Sequence, residues 1–240
     1  MAAGPEEECR DGRGAMIFDA ARVTPAGPEI FDRGHWRSRG LLEEQVGGRG
    51  TVAFVRDGTR RWVLRHYRRG GLVARFADDA YCYGGAARTR AFAEWRLLRR
   101  LRDWALPVPV PVAARYVRSG LVYRADLITE ELPTRLTLAA ALASGPVDRG
   151  TWHGVGRCIG DLHRHGVRHA DLNAHNLLLG EDGTVYVIDF DRGSVRRRGA
   201  WEGRVLDRLR RSLAKVTAGL PDGRFGDLQW QWLREGVAER

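Results

Sequence analysis

Hydrophobic and polar residues alternate with one period in the first half of this chain and another in the second. Residues 51–55 and 61–67 are short apolar–polar alternations on either side of an Asp57-Gly58 turn, the pattern of a β-hairpin. Ala91, Phe92, Trp95, Leu98 and Leu101 recur at helical spacing and predict an amphipathic helix over 88–102. The run Leu106-Pro107-Val108-Pro109-Val110-Pro111 must be extended, because each proline disfavours the helical region in the residue before it. Strands follow over 113–118 and 120–129. Beyond about residue 130 helices dominate. One is expected over 136–144. A longer one is expected from an Asp148 cap to His165, with Trp152, Val155, Ile159 and Leu162 on one face and Gly166 as its stop. The exception is a second hairpin, in which residues 177–179 and 185–188 flank the turn Gly180-Glu181-Asp182-Gly183-Thr184. Residues 201–215 are basic and amphipathic, with Val205, Leu206, Leu209 and Leu213 as the apolar positions. Residues 35–42 form a short element, and residues 1–30 show little periodicity.

This pattern divides the chain into an N-terminal arm (1–30), which is expected to be loosely ordered, a β-rich lobe with one helix (31–130) and a helical lobe (131–240). The fold class is α+β. A length of 240 residues with 43% hydrophobic content supports a buried core and excludes wholesale disorder. Cys9, Cys82 and Cys158 match neither a disulfide framework nor a zinc pattern, which favours a reducing compartment. The charged, Gly-rich start shows no signal peptide, and no apolar stretch is long enough for a membrane span. Net charge is +10, and Lys215 is the only lysine, so the remaining basic residues are arginines. Such a surface attracts anionic partners, whether phosphorylated lipid, a membrane surface or nucleic acid.

One segment carries chemistry. His169-Ala170-Asp171-Leu172-Asn173-Ala174-His175-Asn176 reads H-x-D-L-x-x-x-N, and Val187-Ile188-Asp189-Phe190-Asp191 follows at the exit of the second hairpin. Kinase-fold enzymes use this spacing to set a base and two metal ligands around ATP. Asp171 can accept the proton of an attacking hydroxyl. Asn176 and Asp189 offer the hard oxygens that Mg²⁺ prefers. The ends of an antiparallel hairpin lie close together, so one ion can draw on both. His169 and His175 are six residues apart, with no cysteine nearby, and do not make a zinc pair. His169 is expected to brace the loop by hydrogen bonding.

The upstream half is less regular. Gly47-Gly48-Arg49-Gly50 precedes the first hairpin, and glycines there would let backbone N–H groups approach phosphates. A kinase fold usually carries a lysine on the second strand of that hairpin, and this chain has none there. Arg65 is the substitute, with a guanidinium that can fork onto phosphate oxygens. Glu94, on the following helix, is placed to orient it. Thr129-Glu130-Glu131-Leu132 is the expected link between lobes, with Glu131 near the adenine.

Arg65-His66-Tyr67-Arg68-Arg69-Gly70-Gly71-Leu72, taken with the segment from His169 to Asn176 and with Asp189-Phe190-Asp191-Arg192-Gly193, resembles the lipopolysaccharide kinase family over roughly residues 30–215. The resemblance implies a two-lobed protein-kinase-like fold with ATP between the lobes and Mg²⁺ on Asn176 and Asp189. It implies transfer of phosphate to the 4-hydroxyl of a 3-deoxy-D-manno-octulosonic acid (Kdo) residue on Kdo–lipid A precursor. It also implies peripheral attachment at the cytoplasmic side of the bacterial inner membrane. Arg68, Arg69 and Arg192 would then meet the acceptor's carboxylate or phosphates. Ala170, Asp191 and the lack of an A-P-E segment depart from protein kinases and favour a small-molecule or glycolipid acceptor. A kinase of another small molecule or protein, and a non-catalytic pseudokinase, remain the alternatives. Nucleic-acid binding rests on charge alone and is not expected.

Overall fold

The computed structural model describes residues 4–23, 27–47, 50–68 and 79–239, and the chain divides into two compact units. The first comprises residues 1–103 and 110–131, and the second residues 104–109 and 132–240.

Among the described residues, the first unit is built on an eight-stranded antiparallel sheet. Its strands are β1 (Glu6–Asp11), β2 (Gly14–Asp19), β3 (Leu42–Gly47), β4 (Gly50–Asp57), β5 (Arg60–His66), β6 (Tyr81–Cys82), β7 (Pro111–Ser119) and β8 (Val122–Glu130). The order across the sheet is β1-β2-β7-β8-β5-β4-β3, with β6 also on β8. Helix α1 (Arg33–Ser38) starts at Asp32, whose side chain accepts the Gly34 N–H. One face of the sheet buries Met16, Phe18, Trp62, Leu64 and Ile128 against Ile30, Phe31 and Trp36. Trp36 donates its indole N–H to the Ile30 carbonyl at 2.8 Å and meets Trp62 edge-on at 6.0 Å. Helix α2 (Arg90–Asp103) buries Ala91, Phe92, Trp95, Leu98 and Leu101, the five residues whose spacing predicts it, and packs on β7 and β8.

Two expectations change here. Residues 6–19 are not part of a loose arm, because β1 and β2 form a hairpin and β2 pairs with β7 from Gly14↔Val117 to Phe18↔Ala113. Ile17 is fully buried as a result. The boundaries also shift. Glu131 belongs with the β-rich unit, and the proline-rich segment 104–109 belongs with the helical one.

The second unit runs through β9 (Thr134–Thr137), α3 (Leu138–Ser144), α4 (Arg149–Arg164), β10 (Val167–Arg168), β11 (Leu177–Gly180), β12 (Val185–Val187), β13 (Ser194–Val195), α5 (Trp201–Thr217) and α6 (Asp227–Ala238). Residues 136–137, expected to open the helix over 136–144, instead end the strand that pairs with β11, and the Thr137 hydroxyl then caps α3 by accepting the Ala140 N–H at 3.0 Å. Asp148 caps α4 as its position predicts, accepting the Thr151 N–H at 2.9 Å. Gly166 takes φ +71° just past the helix end. Helix α6 lies against α4 at a near-contact of backbones. A Cβ on Gly156 would meet the Leu233 carbonyl and come within 2.9 Å of Gly236 Cα. Among the described residues, no helix is long and apolar enough to cross a membrane.

Candidate active site

The second unit assembles the loop after β10 from its own backbone. His169 is buried, and both of its ring nitrogens are committed. Nδ1 accepts the Asp171 N–H at 3.1 Å, so the proton sits on Nε2, which donates to the Ile188 carbonyl at 2.9 Å. The ring also lies edge-on to the fully buried Phe190 at 4.9 Å. His169 thus ties the Asp171 segment to the exit of the β11–β12 hairpin, the bracing role expected of it.

Two asparagines fasten the same loop. Asn173 Nδ2 and Asn176 Nδ2 both donate to the Asp171 carbonyl, at 2.9 and 3.0 Å. Asn173 Oδ1 accepts the His175 N–H at 2.9 Å. Leu172 and Ala174 point inward and are buried. Ala174 accepts the Ala139 N–H from α3 at 3.0 Å and donates its own N–H to Ser212 Oγ on α5 at 3.1 Å.

The hairpin brings the backbones of the two expected metal ligands, Asn176 and Asp189, close together. β11 pairs with β12 from Leu177↔Val187 to Leu179↔Val185, and the ladder continues as the Ile188 N–H donates to the Asn176 carbonyl at 3.0 Å. Asn176 and Asp189 therefore leave adjacent points of paired backbone. Asn176 has its amide nitrogen on Asp171, which leaves Oδ1 to offer a cation. Asp189 holds φ +66°, a left-handed conformation that costs a non-glycine residue about 1 kcal/mol or more and clusters at functional positions. The turn from Asp189 to Gly193 is closed by the Gly193 N–H on the Phe190 carbonyl at 2.7 Å. One amide oxygen and one carboxylate fit Mg²⁺, which takes one or two protein oxygens and completes its shell with phosphate and water.

Asp171 has a neighbour that the sequence did not announce. Arg208, on α5, reaches its carboxylate, with Nε 2.7 Å from Oδ1 and a second guanidinium nitrogen on the same oxygen. Both side chains are about half exposed. Arg208 lies 37 residues downstream of Asp171, in a helix read only for its apolar face.

In the first unit Arg65 and Glu94 are paired. Arg65 Nη1 donates to Glu94 Oε1 at 2.8 Å, and the Tyr67 hydroxyl donates to Oε2 at 2.5 Å. Glu94 is buried on α2, while Arg65 keeps 30% of its side chain exposed. Strand alternation explains the trio, since Arg65 and Tyr67 share the face of β5 opposite Trp62 and Leu64. Tyr67 as a partner of Glu94 was legible in that alternation but not drawn from it.

The remaining expectations fare differently. Gly47 and Gly50 face each other as the last pair between β3 and β4, a pairing in which β3 was not foreseen. Gly48 lies outside the described residues, as does Arg69. Arg68 is exposed just after β5, and Arg192 is exposed in the turn after Asp189 with φ +59°. Glu131 has two atoms engaged within the sheet. Its N–H donates to the Arg61 carbonyl at 2.7 Å and its Oε1 accepts from Arg56 at 2.9 Å, so these two atoms tie the end of β8 to β5 and β4, while its buried Oε2 has no hydrogen-bond partner among the described residues.

Comparison with known proteins agrees with the motif. The family profile described as lipopolysaccharide kinase (Kdo/WaaP) family matches residues 34–236. A Stenotrophomonas maltophilia (strain R551-3) protein described as 3-deoxy-D-manno-octulosonic acid kinase is 47% identical over 213 residues, which cover 87% of this chain and 84% of that protein. Proteins with the same description are 46% identical over 212 residues in Xanthomonas campestris pv. campestris (strain B100), covering 86% of this chain and 84% of the relative, and 38% identical over 209 residues in Vibrio parahaemolyticus, covering 87% and 88%.

Proposed function

Because this chain belongs to the lipopolysaccharide kinase (Kdo/WaaP) family, we propose that it transfers phosphate from ATP to the 4-hydroxyl of a Kdo residue on Kdo–lipid A precursor, in lipopolysaccharide core assembly. The observation that carries the reading is the stapled loop. The Asp171 carbonyl is held by Asn176, whose own carbonyl holds the Ile188 N–H beside Asp189. A base and two oxygen ligands on one hydrogen-bonded frame are what phosphoryl transfer requires.

Each residue then has a task. Asp171 orients the acceptor hydroxyl and takes its proton. Asn176 Oδ1 and the Asp189 carboxylate would hold Mg²⁺, which when bound would neutralise charge on the phosphates. His169 and Asn173 fix the loop so that little reorganisation is left for the reacting state. In the first unit, Arg65 offers its guanidinium to phosphate oxygens, with Glu94 and Tyr67 setting its direction. Arg68, Arg69 and Arg192 are assigned to the acceptor's acidic groups. A basic chain acting on a glycolipid is assigned to the cytoplasmic face of the inner membrane as a peripheral protein, held by a salt-sensitive attraction.

Mass spectrometry of Kdo–lipid A precursor incubated with the protein, ATP and Mg²⁺ tests this reading. One added phosphate on the Kdo sugar supports it, and an unmodified glycolipid beside a turned-over alternative acceptor rejects it.

A further inference from the structure

Helix α5 carries a stripe of cations that passes the catalytic loop. Arg204, Arg208, Arg211 and Lys215 are all exposed, and their spacing of four, three and four residues puts them on one line along the helix. The line runs some 16 Å at 1.5 Å per residue. The helix's buried residues, Trp201, Val205, Leu206, Leu209 and Leu213, occupy the other side. Arg208 is bonded to Asp171. Among the described residues, no ion pair or hydrogen bond engages Arg204, Arg211 or Lys215. Of the nearby acids, Glu202 is tied to Arg198, and Asp207 flanks the stripe without an ion pair. Three cations without an ion pair, in register with a fourth that touches the base, form an extended anion-binding track anchored at the chemistry through Arg208, with one cation before it and two after it.

We propose that this stripe on α5 binds the phosphate groups of the acceptor glycolipid and so aligns the acceptor hydroxyl with Asp171. The proposal rests on the acceptor assigned above. A hydroxyl donating to Asp171 must come within about 3 Å of its carboxylate, so the rest of the acceptor necessarily lies near Arg208. Lysine and arginine along a helix face supply point charges and forks to phosphate oxygens at little conformational cost. The pattern also accounts for the chain's sole lysine standing in line with three arginines.

The test compares the wild type with the triple variant Arg204→Gln, Arg211→Gln, Lys215→Gln, which leaves Arg208 and the buried face intact. Dissociation constants are measured in detergent micelles for Kdo–lipid A precursor and for the same glycolipid with its lipid phosphates removed. We expect affinity for the phosphorylated glycolipid to fall about 10- to 100-fold, on the order of a fewfold per charge, and the preference for it over the dephosphorylated form to disappear. A control triple of exposed first-unit residues, Arg10→Gln, Arg37→Gln and Arg39→Gln, lowers net charge equally and should keep the preference. An unchanged preference in the α5 variant, or equal losses for both glycolipids, overturns the proposal. So does a loss seen only on phosphatidylglycerol vesicles without acceptor, which would make the stripe a membrane-attachment surface. These readings need no turnover. Failure of the wild type to phosphorylate a glycolipid that it binds would therefore refute the function proposed above while the binding preference still decides the stripe.

Discussion

Arg65 Nη1 lies 2.8 Å from Oε1 of the buried Glu94, and the other oxygen of that carboxylate takes the Tyr67 hydroxyl. The carboxylate is therefore shared between a residue that faces outward and one that is buried. Removing Glu94 would take one acceptor from the buried Tyr67 hydroxyl and one from the Arg65 guanidinium. Glu94→Ala should raise the KM for ATP and lower kcat, together costing about 10- to 100-fold in kcat/KM. Arg65→Lys should keep part of the activity that Arg65→Ala loses. Tyr67→Phe should lower stability by about 1 kcal/mol with a smaller kinetic effect. Steady-state kinetics at varied ATP checks the kinetic effects and chemical denaturation checks the stability of Tyr67→Phe, and unchanged constants in both Arg65 variants would remove that residue from the nucleotide's surroundings.

Helices α4 and α6 meet where Gly156 and Gly236 let their backbones touch, and a Cβ on Gly236 would stand against the His153 carbonyl and 3.1 Å from the Arg157 nitrogen. Gly156→Ala should destabilise by about 1–3 kcal/mol through overpacking. Thermal unfolding should report a Tm lower by roughly 2–4 °C for each kcal/mol. A Tm equal to wild type would mean that α6 does not pack as described.

His66 is held between two carboxylates, Asp126 at 2.7 Å and Asp79 at 3.2 Å, which are themselves bonded to Arg115 and Arg124. The hydrogen bond to Asp126 is the main reason its pKa rises above the ordinary value, against the opposing effect of burial. A raised folded-state pKa means the imidazolium form stabilises the fold. That stability is fully present below the unfolded pKa of about 6.5 and is lost as pH rises through the higher folded value. Chemical denaturation from pH 5 upward should therefore show the wild type losing stability relative to His66→Gln as pH passes that value. A difference between the two that does not vary with pH would contradict this.

The chemistry and the helices α2 and α4 were legible in the sequence because their signals are local. The loop from His169 to Asn176 keeps its spacing within eight residues, and Asp148 caps α4 from the position immediately before it. Arg65 and Glu94 could be paired because strand alternation and helix position each fix one partner. What was missed depends on distant partners. β1 is exposed along its whole length and gains order from β2, which itself pairs with β7 about a hundred residues on. α6 buries only Leu233 and Gly236, too little for a periodic signal, and is held by glycines on another helix. Arg208 looked like one more surface arginine until α5 was seen to deliver it to Asp171. The contacts of Glu131 with Arg56 and Arg61 were not foreseen, because they come from a strand pairing that no neighbour in sequence announces.

The central claim is that Asp171 serves as the base of a phosphotransfer centre completed by Asn176 and Asp189. Its most direct test is the turnover number for ATP-dependent phosphorylation of Kdo–lipid A precursor by Asp171→Asn, a substitution of equal size on a half-exposed side chain. The account predicts a fall in kcat of about 10²- to 10⁴-fold with the KM for ATP nearly unchanged. A variant that turns over at the wild-type rate would contradict it.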